Sequence, residues 1–510
     1  MLARSHTLTH LGAAPHKITI ETDIFAGLPG ISLVGLPTKS VEESRERLRS
    51  AIRNSGLEFP MRKIVLNLAP ANIAKHGTGF ELAMAVGILT ASRQIPQQPD
   101  DTFFAAELSL DGTLRPTQDT VASMIAAHKA GCKTLIVASD APALPAIVLP
   151  QLKIVRVKTL SELYRWLIGE SPQPEHSTKM IVDEKFTSKI DFSNIRGLQV
   201  PKRALEIAAA GEHNVLLVGP PGSGKTLLAH AFSSILPPMQ SEELSEVVYL
   251  HGICGQSTPN LFSRPLRSPH HTASDVALVG GGQIPKPGEV TLAHRGVLFL
   301  DELPEFRRSV LEALRQPIED GLVHISRAQT ALTYPAKFTL LAAMNPCPCG
   351  YHGSVQQPCV CSPAAIDRYQ GRISGPLLDR FDMRCFINEP SLTSPLEKIT
   401  ETVSSEAILS RVKAARQTQC DRFQQETYYT NGSIPTQKLA EMCKTSNSAK
   451  ELLATVLNSH KLSQRGATRC LKVSRTIADL AQSEYIDIEH LSEALQFRNS
   501  FSGSKTSVVN

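Results

Sequence analysis

Short apolar runs alternate with longer helical stretches through the first third of the chain. Residues 17–24, 64–68 and 134–138 read as strands, while 41–54 and 120–131 carry helical spacing. That alternation predicts an α/β domain over 1–169. The polar, proline-containing string ESPQPEHSTKMIVDEK breaks the pattern and reads as a linker over 170–185. A second α/β segment follows over 191–387. From 395 to 497 only helical periodicity remains, clearest at 401–418 and 468–482, and a small polar string, NSFSGSKTSVVN, closes the chain. The expected layout is thus an N-terminal domain (1–169), a linker (170–185), an α/β core (186–390), a helical lid (391–498) and a flexible tail (499–510).

The 510 residues are 42% hydrophobic and 20% charged, which supplies ordinary packed cores and excludes global disorder. No run approaches the ~18 apolar residues of a membrane-spanning helix, and the N-terminal string MLARSHTLTHLG lacks the apolar centre of a secretion signal. The expectation is a cytoplasmic protein with no membrane partner. A formal charge of +5 permits a nucleic-acid partner without arguing for one. Four of the ten cysteines crowd between Cys347 and Cys361, which in a reducing compartment points to metal rather than disulfides.

The strongest chemical signal is GPPGSGKT at 219–226, preceded by the apolar run 215–218 and followed by a helical pattern. A glycine-rich turn between strand and helix wraps phosphates with backbone N–H groups. Gly219, Gly222 and Gly224 shape the turn, Lys225 supplies charge to the β and γ phosphates, and Thr226 offers a hydroxyl to Mg²⁺. The apolar strand 296–300 ends in Asp301 and Glu302, suited to holding Mg²⁺ through water and to polarising the attacking water. A third strand, 338–344, ends in Asn345, which is placed to orient that water and, taken alone, also reads as a turn cap. Arg380, in LLDRFD, divides evenly between an arginine finger for a neighbouring subunit and a salt bridge with Asp379 or Asp382.

Residues 195–381 resemble the Mg-chelatase-related branch of AAA+ ATPases. The strings HHTASDVALVGGG (270–282), PGE (287–289), LAH (292–294), NPCPCG (345–350) and SRTIAD (474–479) are similar to the ComM/YifB family, and the resemblance spans 8–498. It implies an α/β AAA+ P-loop core with a C-terminal helical lid and an N-terminal Lon-protease-like α/β domain. It also implies ATP and Mg²⁺ as cofactors and a hexameric ring. By the same resemblance Asn345 is the sensor-1 residue, Arg380 the arginine finger and Arg465 the sensor-2 arginine, with Arg469 as a substitute. Ile195 to Gln199 would form part of the adenine pocket.

Cys347, Cys349, Cys359 and Cys361 fit a closed tetrahedral Zn²⁺ site clipping a turn-rich loop, with His352 an alternative ligand and free thiols the bland alternative. In the Lon-like domain, aligning on Lys75 and Gly77 puts Gly79 where the protease has its serine. Aligning on 126–128 puts Val121 where it has its lysine, and Ser92 and Ser123 show no partner base. The expectation is a domain inactive as a peptidase, retained for ring assembly or DNA handling. The basic stretch 45–53, with acids at Glu42, Glu43 and Glu46, reads as a solvated helix face rather than a DNA patch. Two inserts, 279–288 with Lys286 and 323–334 with Arg327 and Thr330, are candidates for contacting DNA phosphates in a ring's channel. The resemblance implies a DNA helicase driving branch migration on single-stranded and branched DNA in natural transformation. A chelatase-type motor that remodels a partner protein is the alternative.

Overall fold

The computed structural model describes residues 2–498 apart from 76, 146, 173, 175–189, 257–261, 283–285, 328–329, 355–356, 388–402, 427 and 460–461. The expected tail, most of the expected linker and the expected core–lid boundary lie outside the described residues. The chain forms two compact units: Met1–Glu184 with Gln240–Leu261 and His324–Tyr334, and the remainder.

The first unit is built on a mixed seven-stranded sheet. Its strands run in the order Gly30–Val34, Lys63–Ala69, Ala14–Phe25, Ala3–Leu11, Thr102–Ala105, Thr134–Ala138, Lys153–Val157. Ala3–Leu11 and Ala14–Phe25 form an antiparallel hairpin, Lys63–Ala69 is antiparallel to Ala14–Phe25, and the remaining neighbours are parallel. The helix Glu81–Ala91 (ELAMAVGILTA) is apolar on every side, and every residue of it is buried. Such a helix must be wrapped by the core. It lies so close to the sheet that a Cβ on Gly87 would stand 2.4 Å from Thr22 Oγ1. Its one acid, Glu81, is fully buried but compensated: Arg47 pairs with it at 2.5 Å, and the Ser44 hydroxyl and Leu108 N–H donate to it at 2.8 Å each. The helix Ser241–Ile253, inserted from the middle of the chain, packs on Thr120–Lys129, where a Cβ on Gly252 would meet Ala122 N at 2.7 Å.

The second unit carries a five-stranded, all-parallel sheet in the order Leu266–Arg267, Val297–Leu300, Thr339–Met344, Val215–Val218, Met383–Phe386. Its three central strands, VLLV, VLFL and TLLAAM, are buried at every residue, as strands covered on both faces must be. Because all five run the same way, the residues after their C-terminal ends share one edge. The register pairs Val218 with Met344 and Leu300 with Ala342, so the phosphate loop, Asp301 and Asn345 emerge side by side. The helices Ser405–Arg422, Asn447–Asn458, Gln464–Leu480 and Ile488–Gln496 form the C-terminal region. A buried ionic knot holds it: Asp479 accepts from Arg422 at 2.5 and 3.0 Å, from Arg475 at 3.1 Å and from Asn431 at 2.7 Å. Arg475 also donates to the carbonyls of Ser483 and Glu484. The string SRTIAD thus serves the core of this helical region. Among the described residues, no helix is long and apolar enough to cross a membrane.

Candidate nucleotide site and cysteine centre

The phosphate loop joins the buried strand Val215–Val218 to the helix Lys225–Phe232. Gly224, the residue before that helix, has φ +85°, a left-handed conformation that strains any side chain. Gly219 has no space for one, since a Cβ there would stand 2.9 Å from Ile387. The Lys225 ammonium folds back into its own loop, donating to the carbonyls of Gly219 (2.8 Å) and Pro220 (2.7 Å) and to Asn345 Oδ1 (3.2 Å). Burial lowers its pKa, opposed by the charges of Asp301 and Glu302. The Thr226 hydroxyl donates to Asp301 Oδ2 at 2.7 Å, so the two groups expected to hold Mg²⁺ already adjoin.

Glu302 has φ +52°, which costs a non-glycine residue about 1–2 kcal/mol, and this is where strain and function commonly coincide. Its carboxylate lies 3.3 Å from His271 Nδ1, and the His271 ring stacks on His270 with centroids 4.1 Å apart. Sequence reading missed this contact: the HH doublet was visible, but nothing in the spacing joins it to Glu302. Ile195 is buried in the unit's core, and its carbonyl accepts from Lys202 Nζ at 2.5 Å.

The expected arginines stand apart from this cluster. Arg380 is buried, with its guanidinium paired to Glu319 at 2.5 Å and bonded to the carbonyls of Pro376 and Arg315. Its ion-pair partner is neither Asp379 nor Asp382. Asp382 instead takes Arg469 at 2.5 Å, and Arg469 also donates to the Arg380 carbonyl. Arg465 is exposed at the start of the helix Gln464–Leu480.

The four cysteines converge. Cys347 and Cys349 Sγ are 3.3 Å apart, Cys359 lies 3.6 Å from each, and all four sulfurs fall within 4.8 Å of one another. Tetrahedral Zn–S bonds of ~2.3 Å put sulfurs about 3.8 Å apart, so the set is the right size. Backbone N–H groups of His352 and Cys349 donate to Cys347 and Cys361 Sγ (3.3 and 3.4 Å). The N–H groups of Tyr351 and Val360 hold Cys349 down at about 6, while the neighbouring sulfurs push Cys359 and Cys361 up. His352 meets the cluster through its backbone. The loop also braces the phosphate loop, because a Cβ on Gly350 would stand 2.5 Å from Pro221 Cδ.

In the insert with Lys286, that residue is exposed and forms a two-residue strand with Pro287 opposite Gly280–Gly281. Arg327 and Thr330 end and begin the strands of a hairpin, Leu322–Arg327 and Thr330–Pro335; their side chains lie outside the described residues.

In the first unit, Gly79, expected to stand at the protease-serine position, has only Thr117 near where a Cβ would lie. Lys75 is fully buried, donating to the carbonyls of Gly35 and Pro70. Ser92 bonds the Leu89 carbonyl at 3.1 Å. Ser123, expected to lack a base, does have one: its hydroxyl lies 3.2 Å from His10 Nε2. That same nitrogen is 3.7 Å from Asp119, and Tyr249 OH occupies Nδ1 at 3.1 Å. Catalysis by a serine–histidine–acid set needs the acid on the ring's far nitrogen. Here both partners share one nitrogen, so the network ties the inserted helix to the sheet.

Three known family profiles cover the chain: "Magnesium chelatase, subunit ChlI" at 191–394, "Subunit ChlI of Mg-chelatase" at 20–141, and "Magnesium chelatase, subunit ChlI C-terminal" at 402–498. Among curated proteins, the chain is 41% identical over 501 residues to the uncharacterized protein YifB of Escherichia coli, covering 97% of this chain and 96% of that one. It is 41% identical over 508 residues to the competence protein ComM of Haemophilus influenzae, covering 98% and 97%. The magnesium-chelatase 67 kDa subunit of Chlorobaculum parvum is 26% identical over 164 residues, covering 31% and 23%.

Proposed function

The chain belongs to the ComM/YifB family of Mg-chelatase-like AAA+ ATPases, and on that premise we propose that it is an ATP-driven hexameric helicase, acting in the cytoplasm on single-stranded and branched DNA. Its task is branch migration while incoming single strands are integrated during natural transformation. The observation that carries this reading is the full-length likeness to a competence protein, joined to a cluster in which Lys225, Thr226, Asp301 and Asn345 adjoin.

The parts act as follows. Loop N–H groups receive the phosphates at the start of the helix Lys225–Phe232. Lys225 exchanges its loop carbonyls for β and γ phosphate oxygens, and Ile195 lies against the adenine. Thr226 and Asp301 would hold Mg²⁺, which when bound would neutralise phosphate charge. Glu302 leaves His271 to accept the proton of the attacking water, while Asn345, already in contact with Lys225, orients that water. Arg465 reaches the γ-phosphate from the lid. Arg380 completes the neighbour's site, and its release from Glu319 makes hydrolysis answer to the fit between subunits. Lys286, Arg327 and Thr330 contact phosphates in the channel. The four cysteines would hold a structural Zn²⁺, which would fix the loop behind Pro221.

A three-strand junction assay tests the proposal. With ATP and Mg²⁺ the protein should move the branch, and single-stranded or branched DNA should raise ATP turnover in a salt-sensitive way. Turnover indifferent to DNA, with no strand displaced, would favour the chelatase-like alternative of remodelling a protein partner.

A further inference from the structure

The helix Lys39–Asn54 carries the basic stretch, and its arginines do not all face water alone. Arg47 turns inward to Glu81. Arg49 and Arg53, one turn apart, lie instead over the segment leading into the strand Lys63–Ala69. The Arg49 guanidinium is 6.0 Å from the Phe59 ring centre, and Arg53 Nη2 is 3.6 Å from Met61 Sδ. Two residues on, Lys63 Nζ stands 5.8 Å from the ring centre of Phe25, its cross-strand partner. On the strand's other side Gly30 pairs with Lys63, which brings the FAGLPG turn (25–30) to the same end of the sheet. Arg49, Arg53, Arg62 and Lys63 are all exposed, and none is in an ion pair among the described residues. Acids border the patch as well: Glu42, Glu43 and Glu46 on the same helix, Glu58 beside Phe59, and Asp23 two residues before Phe25 on its strand. Three apolar side chains stand open in the middle: Leu28 at 89%, Met61 at 59% and Phe25 at 42% exposure.

Four unpaired cations around exposed apolar and aromatic groups complement a polyanion whose bases are unstacked. Duplex DNA buries its bases and has no use for the apolar centre. A bilayer surface would call for a continuous apolar helix face, whereas this patch sits on strand ends and a turn. We propose that the Phe25–Leu28–Met61 surface with Arg49, Arg53, Arg62 and Lys63 binds single-stranded nucleic acid, phosphates on the cations and a base against Phe25 and Leu28. The site lies in the N-terminal unit, on residues other than those of the two inserts. It extends the DNA-motor reading by giving this unit a grip on the displaced or incoming strand.

The test uses the full-length chain and a fluorescein-labelled 30-nucleotide deoxythymidine strand, titrated by anisotropy at several salt concentrations. Arg53→Ala with Lys63→Ala should weaken binding about tenfold or more at low salt and lower the salt slope by about 1.4, two single-strand phosphate contacts. Phe25→Ala should weaken binding about fivefold or more with the slope unchanged. Arg53→Lys with Lys63→Arg should retain binding, and DNA-free ATP turnover should stay at the native rate in all variants. Affinity and slope within twofold of native in the double alanine variant overturn the proposal. So does binding to phosphatidylglycerol vesicles that these variants abolish while strand binding persists. Strand binding through the patch without DNA-stimulated turnover keeps the site and removes the motor. Stimulated turnover with patch variants binding normally does the reverse.

Discussion

The two units are both α/β, yet among the described residues only the second gathers the candidate nucleotide-site groups at one place, and the direction of their strands explains much of the difference. In the ATPase unit five parallel strands deliver the phosphate loop, Asp301, Glu302 and Asn345 to a single edge. In the N-terminal unit the hairpin Ala3–Leu11/Ala14–Phe25 reverses direction, so strand ends are shared between two edges. Its polar groups are spent on structure: Glu81 on Arg47, Lys75 on two carbonyls, Ser123 and Tyr249 on His10. Sheet and helices supply a frame in both, but chemistry depends on which side chains stand where the strands stop.

The sharpest way to break this contrast is at the base. Glu302→Gln should lower kcat by ~10²–10⁴ while nucleotide binding persists, read by steady-state turnover beside equilibrium binding of a fluorescent ATP analogue. Equal turnover in the variant would remove the acid strand from the centre. Next comes the lid. Asp479→Ala leaves Arg475 buried without its partner and should cost about 3–5 kcal/mol in chemical unfolding, with little change if the knot is dispensable. At the cysteine centre, metal analysis should find about one zinc per chain, and Cys359→Ser should lose it together with thermal stability.

His271→Ala frees Glu302 from an exposed contact and should change turnover by only about three- to tenfold, read by steady-state kinetics. An unchanged rate would make the contact incidental. The smallest effect concerns acid. Burial lowers the pKa of His6 and His10 in the N-terminal unit below 6.5. The unfolded chain therefore takes up these protons first, and stability intact at pH 7.5 declines as pH falls below about 6.5. In the ATPase unit, burial opposes ionisation of Glu212 but Arg416, Arg264 and Arg295 overcome it, holding its pKa at about 2. Its stabilisation is complete above 4.5 and is lost only as pH falls toward 2. Hydrogen-exchange protection factors should thus fall in the N-terminal core before the ATPase core. The opposite order would contradict these assignments.

Linear spacing was enough to read the phosphate loop, the acid strand, the Asn345 strand, the cysteine quartet and the alternation of apolar runs, because each is a local pattern with its own physical logic. A turn that cradles phosphate needs its glycines within a few residues of one another, and a strand covered on both faces needs an unbroken apolar run. Pairings across long separations are different, since any of many acids satisfies an arginine until packing chooses one. Folding alone brought Glu319 to Arg380, Arg469 to Asp382, His271 to Glu302 and His10 to Ser123. It also brought Gly350 against Pro221, and turned Arg49 and Arg53 toward Phe59 and Met61 while Arg47 went inside. Composition along a helix records that a charge is present; only the surface packed beside it decides whether that charge is spent or left for a ligand.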